Sequence, residues 1–457
     1  MARSRRLIAL MTAFIMLLCM FATSCRGKGD DFPDIVYPDD EETSSTSSPS
    51  EPDDSDLSIQ SITVASPYSA ETIQYLVKLY YCKNNDMLGE NTGGTISLDY
   101  LQSIDPNYIV NSILTSGEGA SAENIEQWSN SNTDIPDVFL TGDVGPLKDK
   151  GLITPLNDLI AGSRLLSPGN VYTNALEQIS YEGIYYAITY YSSVQVIAGN
   201  PEYIPSSGKL SFKCSTVQFE EYLAAIRDEH NTIPLSTGRD MVPYLLSAFN
   251  EDEPSSFMMY DEYKTNRTDS AEVINNTLRY ISDLYSNGLS ADLNSEGTNP
   301  VYARQAGMWL ISSSEVLSWE QYYPSGLYYV ALPLDSESSV INPMARLYSL
   351  CINNTSANKE FAASFAMFMA LDSDARMLLE RLEPQIGFLP CVRSQDVWSI
   401  VNSDSIWGQT AVYYYQILDR AVYCPSSSDP LYSSVADYLA DYNGDAFNAE
   451  ACYGQHR

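Results

Sequence analysis

Three short polar loops, each following an apolar run, carry the residues best suited to holding a small ligand. They are Ser66-Pro67-Tyr68, Thr141-Gly142-Asp143 and Ser312-Ser313-Ser314. Hydroxyls, a carboxylate and unpaired backbone N–H groups can together make many modest hydrogen bonds to a neutral polar solute. The same residue types cap helices that follow strands, and the sequence alone leaves both roles open. Arg239, in the loop Ser236 to Asp240, and Arg346 could each anchor an anionic group or make a surface ion pair. Aromatic rings are abundant, with 34 Tyr and five Trp. A flat apolar face with a polar tip suits the C–H face of a sugar, and suits a core equally well.

Other chemistry is absent. The two histidines, His230 and His456, are far apart, and His456 is almost the last residue. A His-based zinc site, an HExxH helix and a Ser-His-Asp triad are therefore not expected. No CxxC pair, nucleophile elbow or phosphate-binding loop occurs. Acidic residues number 59, so carboxylate pairs arise by chance and argue nothing. No catalytic residue, metal or cofactor is expected.

The elements that must position these loops read as α/β. Ile59 to Val64 alternates apolar and polar residues as a strand does. Ile73, Leu76, Val77, Tyr80 and Tyr81 then share one helical face. Gly93-Gly94 introduces a second expected strand, Thr95 to Tyr100, which completes a βαβ unit with a parallel core. A later helix starts near Asp269, turns Ile274, Leu278, Ile281 and Leu284 inward, and stops at Asn287-Gly288. Another spans about Asn358 to Leu371 and carries Phe361, Phe365, Phe368 and Met369.

The N-terminus reads as an address. Arg3, Arg5 and Arg6 precede an uncharged run from Leu7 to Ser24, shorter than the roughly 20 apolar residues of a membrane span and fitting a signal peptide. Ala22-Thr23-Ser24-Cys25 resembles the lipobox of bacterial lipoproteins, which implies acylation of Cys25; an ordinary secretory signal is the alternative. Residues 25–57 are acidic and rich in Ser and Pro, a composition that stays disordered and serves as a tether. The formal net charge is −34, and removing residues 1–24 with their three arginines makes it −37. Such a chain repels nucleic acid. The residues after Leu57 exceed one ordinary domain and suggest two lobes. Cys82, Cys214, Cys351, Cys391, Cys424 and Cys452 are scattered, and disulfides or buried thiols both remain open.

From Asp134 the sequence becomes more specific. DIPDVFLTGDVGPLKDKGLITPLNDLI closely resembles the "PDV" strand and following helix of family 1 extracellular solute-binding proteins, the receptors of ABC importers. Tyr181 to Asn200 resembles the strand leading to the family's first crossover between lobes. Ala303 to Ser314 and Gly326 to Leu334 look like its "G-x-A-A-M" strand and the strand after it. Ala345 to Met369 resembles the second crossover and its helix, and Gly387-Phe388-Leu389-Pro390 the "G-x-x-P" loop. The pieces fall in the family's order over most of the chain. The resemblance implies a two-lobed, periplasmic-binding-protein-like α/β fold with an interlobe cleft. One lobe would be 58–190 with 345–392, the other 191–344 with 393–457. It further implies a monomeric, lipid-anchored receptor outside the cell membrane. Such a receptor binds a small polar solute, a sugar or oligosaccharide, and delivers it to the permease subunits by lobe closure. On this reading the ligand meets Tyr68, Gly142, Asp143, Tyr190, Tyr191, Arg239, Trp309, Ser312, Ser313 and Arg346, with Trp319, Tyr322 and Tyr323 nearby. A surface-anchored glycan hydrolase or adhesion lipoprotein is the alternative.

Overall fold

The protein is described here from a computed structural model covering residues 60–423 and Asn448. Within that span residues 131–134, 162, 164, 237–240, 242–243, 246–268, 292–298, 324, 332, 335–341 and 402–405 are not described. All described residues belong to the unit Ser58–Arg457. Cys25, the leader, the tether, Arg239, Cys424, Cys452 and His456 lie outside the described residues.

Ten strands among the described residues join in one mixed sheet. They are β1 (Gln60–Ser66), β2 (Tyr108–Leu114), β3 (Val138–Thr141), β4 (Ile188–Gly199), β5 (Ile233–Ser236), β6 (Ala306–Ser312), β7 (Tyr328–Val330), β8 (Met344–Ile352), β9 (Leu389–Pro390) and β10 (Val422–Tyr423). Their order is β2-β1-β3-β8-β4-β6-β5, with β7 and β9 added on β4 and β10 on β8. β1 runs parallel to β2, with Ile62 opposite Val110, and parallel to β3, with Val64 opposite Val138.

The expected βαβ start is present, but its second strand lies further along. After β1 comes helix α1 (Ala70–Asn84), whose N-cap Ser69 accepts from the Thr72 N–H. Thr95 to Tyr100 is not a strand. Thr95 N–H donates back to Thr92 O at 3.0 Å, and the Ser97 hydroxyl caps a short helix α2 (Leu98–Gln102). A Ser or Thr side chain that bonds its own neighbouring backbone offers the chain an alternative to a ladder. The parallel partner of β1 is β2 instead.

β4 serves both halves of the sheet. From Ile188 to Val194 it pairs antiparallel with β8, and from Gln195 to Gly199 with β6. The register with β8 shifts between Tyr348 and Ser349. A large apolar core packs on β1, β3, β8 and the first half of β4. A second, smaller cluster contains Phe219, Leu223, Ile226, Leu235 and Met308.

Four further helices frame the site or fill the core: α3 (Ala122–Asn130), α4 (Val144–Asp149), α5 (Asp269–Ser286) and α6 (Lys359–Leu371). In α5, Ile281 and Leu284 are buried and the backbone turns out at Asn287-Gly288; the side chains of Ile274 and Leu278 are outside the described ones. In α6, Phe361, Phe365, Phe368 and Met369 are buried. Each such side chain stabilises the fold by about 1.5–3 kcal/mol relative to exposure. The helix after α6, α7 (Ser373–Leu382), starts on the carboxylate of Asp372, which accepts from the backbone N–H of Asp374 and Ala375.

Candidate functional site

Because β2 and β3 both run parallel to β1, their carboxyl ends open on the same edge of the sheet. β8 runs the other way and sets Ser349 opposite Thr141, so Arg346 to Tyr348 extend beyond the end of β3. These segments enclose a cavity of about 310 Å³, at the small end of ligand pockets. Its walls are the loop Ser116 to Ser121, the first turn of α3, Gly142-Asp143, and Arg346 to Tyr348.

The loop after β2 is tied down by backbone. Thr115 N–H donates to Ser66 O at 2.9 Å and Ala120 N–H to Leu140 O at 2.9 Å. Gly119 has φ +77°, and a Cβ there would lie 2.2 Å from Leu140 O, so only glycine lets the loop pass β3 this closely. Asp143 is buried and precedes α4, yet its side chain caps a different helix. Its Oδ2 accepts the N–H of Ala122 at 2.8 Å, at the start of α3, while its own N–H donates to Thr141 Oγ1 at 3.0 Å. Glu118 Oε1 accepts from Tyr348 Oη at 3.2 Å and from Ser314 Oγ at 3.3 Å. The Tyr348 phenol is pushed up, chiefly by burial and then by the Glu118 charge, with Arg346 opposing. The cavity wall is thus polar, hydrogen-bonded and held by elements distant in sequence.

Of the expected ligand residues, Gly142, Asp143 and Arg346 line this cavity. Ser312 and Ser313 do another job. The Ser312 hydroxyl bonds that of Ser193 at 2.6 Å, and Ser313 Oγ accepts the Val194 N–H at 3.0 Å while donating to Gly387 O. Ser314 N–H donates to Ser193 Oγ at 3.1 Å. The three serines therefore clasp β4 where its pairing passes from β8 to β6, and Ser314 alone reaches the cavity rim through Glu118.

Tyr68, Tyr190 and Tyr191 are fully buried, which differs from the expectation that they meet a ligand. β4 has strands on both sides and side chains packed on both faces, so consecutive residues 190 and 191 are both interior. The Tyr68 and Tyr191 hydroxyls bond each other, Tyr191 Oη donates to Glu380 Oε1 at 3.1 Å, and Arg376 Nη2 donates to Glu380 Oε1 at 2.6 Å. Burial pushes all three phenols well up. Trp309 is also interior, 5.7 Å from Trp319 and 5.1 Å from Tyr323 between ring centroids. Tyr322 is the exposed member of that group.

The sequence reading missed Ser116, Glu118, Ser121, Glu123, Asn124 and Tyr348. The Gly- and Ser-rich stretch TSGEGAS, Thr115 to Ser121, is a loop signal. It becomes meaningful only once the preceding strand is placed at Tyr108 rather than Thr95. Among the described residues no group of three or more His, Cys, Asp or Glu is placed to hold a metal ion. Nor is any helix among them long and apolar enough to cross a membrane.

No family model matches the sequence, and no curated protein matches it. Solved structures do. The GacH receptor of Streptomyces glaucescens, solved unliganded and with acarbose, is 16% identical with a TM-score of 0.58, covering 87% of this chain and 97% of that one. An ABC substrate-binding protein of Listeria monocytogenes, in complex with cycloalternan, is 14% identical with a TM-score of 0.57, covering 86% and 96%. A maltodextrin binding protein of L. casei is 15% identical with a TM-score of 0.56, covering 86% and 94%. The fold is accordingly the two-lobed, periplasmic-binding-protein-like α/β fold.

Proposed function

We propose that this chain is the extracytoplasmic solute-binding receptor of an ABC importer, binding a carbohydrate without changing it and presenting it to the permease by lobe closure. The observation that carries the reading is the polar cavity at the carboxyl ends of β2 and β3, where open α/β sheets hold their ligands. Its donors and acceptors, from Asn124, Glu118, Arg346 and Tyr348, suit a polyol. Fold neighbours solved with acarbose or cycloalternan, or bearing the name of a maltodextrin binder, support a carbohydrate. The signal peptide 1–24, acylation of Cys25 and the tether 25–57 would place the receptor on the outer face of the cell membrane as a monomer.

The test is calorimetric titration with neutral mono- and oligosaccharides, followed by chromatography of the sugar. A saturable isotherm with the sugar recovered intact is expected. Arg346→Ala should weaken binding about tenfold or more, the worth of one charge-assisted hydrogen bond, with thermal stability kept. Shortened glycan would instead favour the surface hydrolase, and unchanged affinity in Arg346→Ala would move the site elsewhere.

A further inference from the structure

We infer that the cavity sorts solutes by charge, admitting neutral or amine-bearing polyols and refusing their carboxylated or phosphorylated counterparts. This rests on reading the cavity as the solute site. An α-helix N-terminus facing a cleft normally attracts anions through its unpaired N–H groups and dipole. Here the chain has filled that place itself. The Ala122 N–H at the start of α3 is taken by the buried carboxylate of Asp143, and the Asn124 N–H by Ser121 Oγ at 3.2 Å.

The rest of the wall points the same way. Glu118 and Glu123 stand with Asp143 around the cavity, and Arg346 is the one cationic side chain among the lining residues. The hydroxyls of Tyr348 and Ser314 donate to Glu118 Oε1 and hold that carboxylate at the cavity wall. An incoming carboxylate or phosphate therefore meets three like charges and an occupied helix terminus. A protonated amine finds carboxylates already oriented. The effect is local: beyond about 8–10 Å ordinary salt screens charge, so the chain's overall −34 does not produce it.

The probes are oligosaccharides of matched length that differ in charge: neutral cello-oligomers, chitosan oligomers with free amines, and oligouronates. Titrated against the full chain in physiological salt, the uronate should bind about tenfold or more weakly than the neutral sugar, and the amine at least as tightly. In Glu118→Gln/Glu123→Gln the ratio of neutral to uronate affinity should narrow by about tenfold, whatever the absolute affinities. A purely structural role for these residues would shift all three probes together. Equal or tighter uronate binding by the natural chain, or a ratio unmoved in the double variant, overturns the inference and leaves the receptor reading standing. Failure of all three to bind a folded protein overturns both.

Discussion

The guanidinium carbon of Arg376 lies 4.3 Å from the ring centroid of Tyr191 and 4.7 Å from that of Tyr190, in a place water does not reach. Its charge is answered there by the equally buried Glu380 and by the two ring faces. Removing one member of a buried ion pair leaves the other uncompensated, which is worse than never having had the pair. Arg376→Ala should therefore cost about 3 kcal/mol or more, while Arg376→Met/Glu380→Leu should recover a good part of it. Urea denaturation of both variants decides. A single variant as stable as the natural chain would mean that Glu380 is carried uncharged.

Alkali should unfold the protein early. Burial pushes the thiols of Cys214 and Cys391 up to about 12, and the phenols of Tyr68, Tyr190 and Tyr191 well above their ordinary value. These groups stay protonated in the folded chain while their unfolded counterparts ionise near 9 and 10. Their contribution is complete below pH 9 and is lost as pH rises from there towards 12. The loss amounts to about 1.4 kcal/mol per pH unit for each group in its window. Urea midpoints measured across this range should fall, and fall less in Cys214→Ala. A flat profile would be the contrary result.

Cys82, Cys214, Cys351 and Cys391 are buried and unpaired. A thiolate is the reactive form, and burial both raises the thiol and blocks access. Peptide mapping after iodoacetamide at about pH 8 should find these four unmodified in the native protein and alkylated in guanidinium chloride. Native labelling of any of them would contradict the packing described.

Gly387 has φ +86°, and a Cβ there would stand 1.9 Å from the Ser313 carbonyl oxygen, against backbone that cannot step aside. Gly387→Ala should cost roughly 3 kcal/mol and loosen the serine clasp on β4. Gly151→Ala is the control, since Gly151 has φ +67° with nothing within 4 Å. It should cost about 1 kcal/mol, the left-handed backbone alone. Thermal melts of the two should differ accordingly.

β1 and α6 were found from their apolar residues, although both are buried on more than one face. Periodicity identified α1 and α5, where one face is buried and the other wet. It failed where local side-chain bonding competes with strand pairing, at Thr95 to Tyr100. It also failed at the edge strand β2, whose Ile109, Ile113 and Leu114 remain exposed. With that strand misplaced, the loop holding Glu118 could not be recognised. The error over Tyr190 and Tyr191 had a readable remedy. Ile188 to Gly199 is almost continuously apolar or small, the pattern of a strand covered on both faces, in which consecutive rings are core. Gly142 and Asp143 were legible as cavity residues because a polar residue directly beyond an apolar strand has few places to go, whereas Arg346 lies inside β8 and was singled out only by its charge. Which of them faces a cavity depends on β8, whose position beside β3 no local pattern encodes.

That position also governs the order in which the molecule can assemble. β3 and β4 leave a gap between them, and the strand that fills it, Met344–Ile352, is made long after both. As the chain emerges from the ribosome, its N-terminal strands have an open edge and no neighbour to close it. Such distant pairings form slowly, after the chain end that completes them exists. Closure of the sheet therefore waits on the last quarter of the chain, which begins at about the strand that joins its two halves.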